Sequence, residues 1–255
     1  MSANYVGLWT LVKREMKRSL KIVNQVIWPP IITTILYVTI FGIALGSRIK
    51  NVQGVSYSAF LVPGLIMMQV IDSSYGESSS SIFQGRFMQA IQEMLIAPMS
   101  AIEMLVGYVG GSVIRAFLIA NIIMLLGMIF VHVVPVNWPL YFVLLLVVSV
   151  LFSSLGVIFG LMAEKFDHLA VLTTFAITPL VFVGGVFTSI HFMPPFVARI
   201  SLFNPIFYTI DAFRYTFTGQ SDVPLEASLA VISVMTILAF GIAWRLLALG
   251  HKLRV

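Results

Sequence analysis

FQGRFMQAIQEMLIAPMS, residues 83–100, stands between two long apolar runs, Ser58–Ser80 and Ala101–Val131. Projected at 100° per residue, Phe83, Phe87, Met88, Ala90, Ile91, Met94 and Leu95 share one face, while Arg86, Gln89, Gln92 and Glu93 share the other. That period predicts a short amphipathic helix over 83–98. Pro98 cannot continue it, and it pushes Ala97 out of the α region. A half-polar helix set between two apolar runs is either a passive linker at the membrane face or a surface offered to a partner there.

The flanking runs decide the fold class. Of the 255 residues 59% are hydrophobic and 10% charged, and mean hydropathy is +1.01. Soluble domains are less apolar and carry more than twice that share of charge. The runs are continuous and lack a period of two, so they read as transmembrane helices rather than barrel strands. Six spans are expected: 25–45, 58–80, 101–131, 139–163, 169–190 and 225–249. The third is too long for one crossing of a hydrocarbon core of about 30 Å. Gly42-x-x-x-Gly46 and Gly156-x-x-x-Gly160 permit close helix approach, as small residues do in membrane interfaces. Pro179 should kink the fifth span.

Residues 1–23 carry Lys13, Arg14, Lys17, Arg18 and Lys21. Tyr5, Leu8, Trp9, Val12, Met16, Leu20 and Val23 fall on one helical face. The segment reads as an amphipathic helix lying in the interface plane or as the positive flank of the first span, ahead of a membrane domain over 24–255. After the fifth span, residues 191–218 hold two apolar pieces too short to cross, 196–203 and 206–217. Pro194-Pro195 and Asn204-Pro205 bound them, so they are expected as re-entrant or interfacial helices packed on protein.

Lysine and arginine set the orientation. With the N-terminus inside, the cytoplasmic set is Lys13, Arg14, Lys17, Arg18, Lys21, Arg86, Lys165, Arg245, Lys252 and Arg254; the outer set is Arg48, Lys50, Arg199 and Arg214. Ten against four places both termini in the cytoplasm. Residues 83–98 then lie on the cytoplasmic side and 191–218 on the outer side. Asp72 and Glu77 in the second span and Arg115 in the third are costly in lipid, so Arg115 should pair with one of the two acids. Asp211 and Arg214, at i and i+3, suggest a local helix pair.

Several chemistries are excluded. The chain has no cysteine, and His132, His168, His191 and His251 show no ligand spacing. It contains no GxxxxGK[ST], HExxH or GxSxG pattern, so it carries no phosphate loop and no hydrolase site of those types. The net charge of +5 reports membrane topology rather than a nucleic-acid partner.

Five stretches together resemble the ABC-2 permease family, the membrane subunits of type-2 ABC transporters. They are FLVPGLIMM at 60–68, IQEMLIAP at 91–98, GYVGG at 107–111, PLVFVGGVF at 179–187 and LFNPIFYTIDAFRY at 202–215. The resemblance covers essentially the whole chain. It implies six helices per subunit, a homodimer forming one pore, and a location in the bacterial inner membrane. It implies a separate cytoplasmic ATPase subunit that binds ATP and Mg, leaving this chain without cofactor or enzymatic activity. The helix between spans two and three becomes the coupling helix, with Arg86, Phe87, Gln89, Gln92 and Glu93 as its ATPase-facing candidates. The segment after span five becomes outer re-entrant helices, with Pro194, Pro195, Asn204, Pro205, Asp211 and Arg214 as its marked residues. Substrates implied by the family are exported amphipathic or lipid-like molecules. The alternative is an ion-coupled secondary transporter or channel in which Asp72, Glu77 and Arg115 form the relay.

Overall fold

A single helix of 31 residues, α3 (Tyr57–Phe87), runs through the middle of the bundle. Ser56 caps its start, the hydroxyl accepting from the Ala59 N–H at 3.3 Å, which satisfies one of the orphan amides of the first turn. Every residue from Phe60 to Ile71 is buried. The structure, a computed structural model, describes residues 4–21, 23–45, 51–52, 54–88 and 99–250.

Around α3 the chain is almost wholly helical. An N-terminal helix α1 (Tyr5–Lys21) precedes α2 (Val23–Tyr37), which continues as a π-helical stretch, Val38–Leu45. A minimal hairpin, β1 (Asn51–Val52) with β2 (Val55–Ser56), stands where only a polar loop was expected. Beyond α3 come α4 (Ala101–Val131) and α5 (Trp138–Met162). The next helical segment runs from α6 (Phe166–Leu172) through a π turn at Thr173–Ile177 to α7 (Thr178–Val183). It ends at Val183 rather than 190, because Gly184 and Gly185 follow and Gly185 takes φ +90°, a backbone state that favours glycine. Two short helices, α8 (Pro195–Phe203) and α9 (Pro205–Thr218), meet at Asn204. Helix α10 (Leu225–Ala248) closes the bundle.

Among the described residues five helices are long and apolar enough to cross a membrane: Asn24–Gly42, Ala101–Val131, Trp138–Met162, Phe166–Val183 and Leu225–Ala248. Helix α3, expected as the second of six spans, falls outside that set. Its second half carries Gln69, Asp72, Glu77 and a run of serines. It keeps them because it is surrounded by α4, α5 and α9 rather than by lipid. The outer helices show the converse pattern. Trp28, Ile32 and Leu36 of α2 and Ile237, Leu238 and Ile242 of α10 are exposed, as lipid-facing side chains should be. α4 would be about 46 Å long at 1.5 Å per residue, so it extends beyond a hydrocarbon core.

Small residues bring the central helices together. A Cβ at Gly156 of α5 would strike Ser78 Oγ and lie 2.6 Å from the Tyr75 carbonyl oxygen; one at Gly160 would lie 2.7 Å from the Ser79 carbonyl oxygen. The Gly156-x-x-x-Gly160 pair is therefore the seat of α3 on α5. Gly156→Val should force the two helices apart, costing about 1–3 kcal/mol. Thermal unfolding of the detergent-solubilised protein measures it, and an unchanged midpoint would show that the contact yields freely.

One expectation needs correction. Residues 83–87 do not begin a separate helix: they are the last turns of α3, which no proline interrupts between Ser80 and Phe87 and which runs on through Gly85. The remainder of the expected cytoplasmic helix, including Gln89, Gln92 and Glu93, lies outside the described residues. α1 meets the protein through a face other than its apolar one. Leu11 and Glu15 are buried against α4, whereas Tyr5 and Trp9 of the expected apolar face are 76% and 64% exposed. The reason is Gly107 and Gly111 of α4: Leu11 and the Glu15 Cβ occupy the space that side chains there would fill.

Candidate functional site

α1 is pinned at its start. The Glu103 carboxylate accepts from the Ser100 N–H at 2.7 Å, completing a capping box at the head of α4, and from the Asn4 N–H at 2.5 Å. About three turns further along α1, charged side chains from α1, α3 and α4 converge. Glu15 and Glu77 are each 2% exposed. The Glu15 carboxylate accepts from Arg14 Nη2 at 2.9 Å and Ser81 Oγ at 2.5 Å. Glu77 accepts from Arg18 Nη2 at 2.7 Å, from Ser19 Oγ at 2.6 Å and from Arg115 Nη1. Arg14 also donates to the Tyr108 hydroxyl at 3.4 Å. Carboxylates this deeply buried persist only when paired and hydrogen-bonded.

The structure thus brings Glu77 and Arg115 together and leaves Asp72 out of the pair. It adds Arg14, Glu15, Arg18, Ser19 and Ser81, which sequence reasoning did not place there. Two signals pointed to them: the i, i+3 spacing of Glu15 and Arg18, and the small-residue step Gly107-x-x-x-Gly111 that lets α1 approach.

Asp72 belongs to a different feature. Between Phe60 and Ile82 only Asp72, Gly76 and Ser80 are not buried, spaced four apart, and exposed Gln84 extends the same line. One atom of the Asp72 carboxylate, Oδ1, has no hydrogen-bond partner. A Cβ at Gly76 would meet nothing within 4 Å. The most enclosed helix of the bundle is therefore less fully covered along one polar stripe, with free space beside Gly76. Phe83 beside it makes an edge contact with Phe166, ring centroids 5.8 Å apart, which sets the stripe next to α6.

At the C-terminal end of α3 Arg86 turns inward. It donates to the carbonyl oxygens of Gly160, Leu161 and Ala163 at 3.1, 2.7 and 2.9 Å, capping the end of α5, where helical carbonyls lack amide partners. It was expected on the partner-facing side. Phe87, one of the ATPase-facing candidates, and Met88 beside it are 80% and 74% exposed.

In the segment after α7, Pro194 precedes α8, Pro195 opens it and Pro205 opens α9. Asn204 joins the two helices, its Oδ1 accepting from the Ile206 N–H at 3.0 Å and its Nδ2 donating to Leu180 O at 2.6 Å. Asp211 and Arg214 do not form the expected local pair. Asp211 accepts from the Asp222 N–H at 2.7 Å. Arg214 donates to Gly185 O at 2.5 Å and stacks 3.8 Å above the Phe60 ring. Each finds a fixed backbone partner in a different direction, and together they tie α9 to the turn after α7 and to the loop before α10. Among the described residues no group of three His, Asp or Glu could hold a metal ion.

Residues 6–218 match the family described as ABC-2 type transporter. The chain is 39% identical over 254 residues to the inner membrane transport permease YadH of Escherichia coli K12, covering 100% of this chain and 99% of the relative. It is 25% identical over 219 residues to nodulation protein J of Rhizobium leguminosarum bv. viciae, covering 84% and 83%. With nodulation protein J of Neorhizobium galegae it shares 23% identity over 248 residues, 96% and 92% of the two chains.

Proposed function

The chain belongs to the ABC-2 type transporter family, and on that premise we propose that it is the permease subunit of an ATP-driven exporter of an amphipathic or lipid-like molecule. Two copies form the pathway, and a separate cytoplasmic ATPase binds ATP and Mg and supplies the work. The observation that carries this reading is the continuity of α3. One helix bears the open polar stripe Asp72–Gly76–Ser80–Gln84 within the bundle and, at its end, the exposed Phe87 and Met88. Motion imposed at that end reaches the stripe without passing through a joint. The stripe is too polar to face hydrocarbon, which suits a wall of a pathway.

A cavity of about 430 Å³ at the opposite end of α3 supports the substrate class. Thr34, Thr39, Ser56 and Ser58 line it beside Val62, Ile123 and Phe130, a mixed surface that fits a molecule with both polar and apolar parts. An ion-coupled relay gains less support, since Glu77 and Arg115 are already held by each other and by α1. Purification of the tagged chain from its own membranes tests the proposal. An ATP-binding-cassette ATPase should accompany it in comparable amount. Proton-coupled flux by the chain alone in vesicles would overturn it.

In this reading α3 is the second of six spans and both termini are cytoplasmic. The absence of cysteine makes that testable. Single cysteines at the exposed positions Asn137 and Gln220 should react with an impermeant thiol reagent in intact cells. Cysteines at the exposed positions Lys13 and Gln84 should react only after permeabilisation. Labelling of Gln84 from outside would invert the topology.

A further inference from the structure

A groove of about 360 Å³ runs between α1 and the cytoplasmic end of α3. Arg14, Lys17, Arg18 and Lys21 form one wall; Ser81, Gln84, Gly85 and Met88 form the other. Its lining acid, Glu15, is already engaged, Oε1 by Arg14 and Oε2 by Ser81. Glu77 behind it is engaged by Arg18 and Arg115. Five cations, Arg14, Lys17, Arg18, Lys21 and Arg115, thus face two carboxylates, which leaves three positive charges. Among the described residues neither Lys17 nor Lys21 has an acidic partner within 4 Å. Arg18 Nε lies 3.3 Å from Glu15 yet makes no hydrogen bond.

The depth of the groove follows from the rest of α1. Tyr5, Val6 and Trp9 are exposed on the same helix, and aromatic side chains so placed anchor a helix in the headgroup layer. The groove then sits where the phosphates of the inner leaflet lie, and its rim at Met88 is apolar. Anionic leaflet charge attracts such cations. We propose that this groove holds the phosphate of an anionic phospholipid of the cytoplasmic leaflet, wedged between α1 and α3. The site shares only Gln84 with the polar stripe and does not depend on which molecule is transported.

The test uses the full-length chain in nanodiscs of mixed phosphatidylcholine and phosphatidylglycerol, with retained lipids counted by native mass spectrometry. Wild type should retain phosphatidylglycerol in excess of its bulk proportion. Removing Lys17 and Lys21 as glutamines should lower that preference by roughly fivefold for each cation. Lys17→Arg with Lys21→Arg should keep it. Lys13→Gln is the decisive control, because Lys13 is exposed on the same helix but does not line the groove. If Lys13→Gln lowers the preference as much as Lys17→Gln, the attraction is diffuse and the site is refuted. Release of the bound lipid by inorganic phosphate would refute it too, since the groove would then be a general anion site.

Discussion

Replacement of Glu77 by alanine should destabilise the protein by about 3–5 kcal/mol, the cost of stranding a buried charge. Glu77 is 2% exposed and accepts from Arg18, Ser19 and Arg115. Without it the Arg115 guanidinium, which makes no other ion pair among the described residues, stays at the α3–α4 contact uncompensated. Arg18 also loses the contact that joins α1 to α3. A thermal midpoint lower by about 10 °C is expected for a chain of this size. Glu77→Gln should fall between, because it retains acceptor geometry and loses charge. Arg115→Leu should be destabilising alone and partly redundant with Glu77→Leu, since the double variant leaves fewer charges unpaired. Strictly additive effects of the two leucine changes would show that the pair is not coupled. The expected magnitude also explains why Glu15 and Glu77 sit on facing helices. Each fixes α1 at a different depth, so the N-terminal helix is held by two latches rather than by apolar contact alone.

The sequence made the helical membrane architecture legible where composition alone decides it. Ala101–Val131, Trp138–Met162 and Leu225–Ala248 are predominantly apolar, and lipid demands that of any helix facing it. The break at Asn204-Pro205 was legible too, because proline and the residue before it have few backbone states. Legibility failed where position depended on a neighbour. Glu15 looks like an isolated acid in a basic segment; its burial follows from two glycines on α4, almost a hundred residues away. Residues 83–87 have the period of an amphipathic helix, but period does not say where a helix starts. With Glu77, four serines and Ile82, and no proline or glycine, between Gly76 and Phe83, α3 runs on. Arg86 likewise reads as a surface cation, and only the unsatisfied carbonyls at the end of α5 turn it inward. Asp211 and Arg214 have the spacing of a pair, yet backbone groups outside their own helix compete for both. Of the intramembrane charges, the choice of Asp72 or Glu77 for Arg115 rested on depth alone, which distinguishes residues five apart on a helix poorly. The openness of the Asp72–Gly76–Ser80 line was not legible at all, since it exists only as a gap in the burial of α3.

The same continuity gives the second large effect. Gln84→Pro should abolish transport while leaving the protein folded in the membrane. Gln84 is exposed and lies three residues before the end of α3, so little packing is lost with its side chain. Proline at that position removes a backbone donor and clashes with the preceding turn, at a cost of about 3 kcal/mol. That cost falls on the last turns of α3, below the network at Glu77 and the seat on Gly156 and Gly160. The bundle therefore survives, but the rigid path from Phe87 and Met88 to the polar stripe acquires a joint. Gln84→Ala, which favours helix, should behave as wild type and separates loss of the path from loss of the side chain. In vesicles reconstituted with the ATPase partner, transport per molecule should fall at least tenfold in Gln84→Pro, whereas ATP hydrolysis by the complex should persist without stimulation by substrate. Loss of hydrolysis together with transport would mean that the end of α3 holds the ATPase rather than receives its stroke. Undiminished transport would mean that force enters the bundle elsewhere, because a helix broken between its C-terminal end and Ser80 cannot transmit a push along its axis.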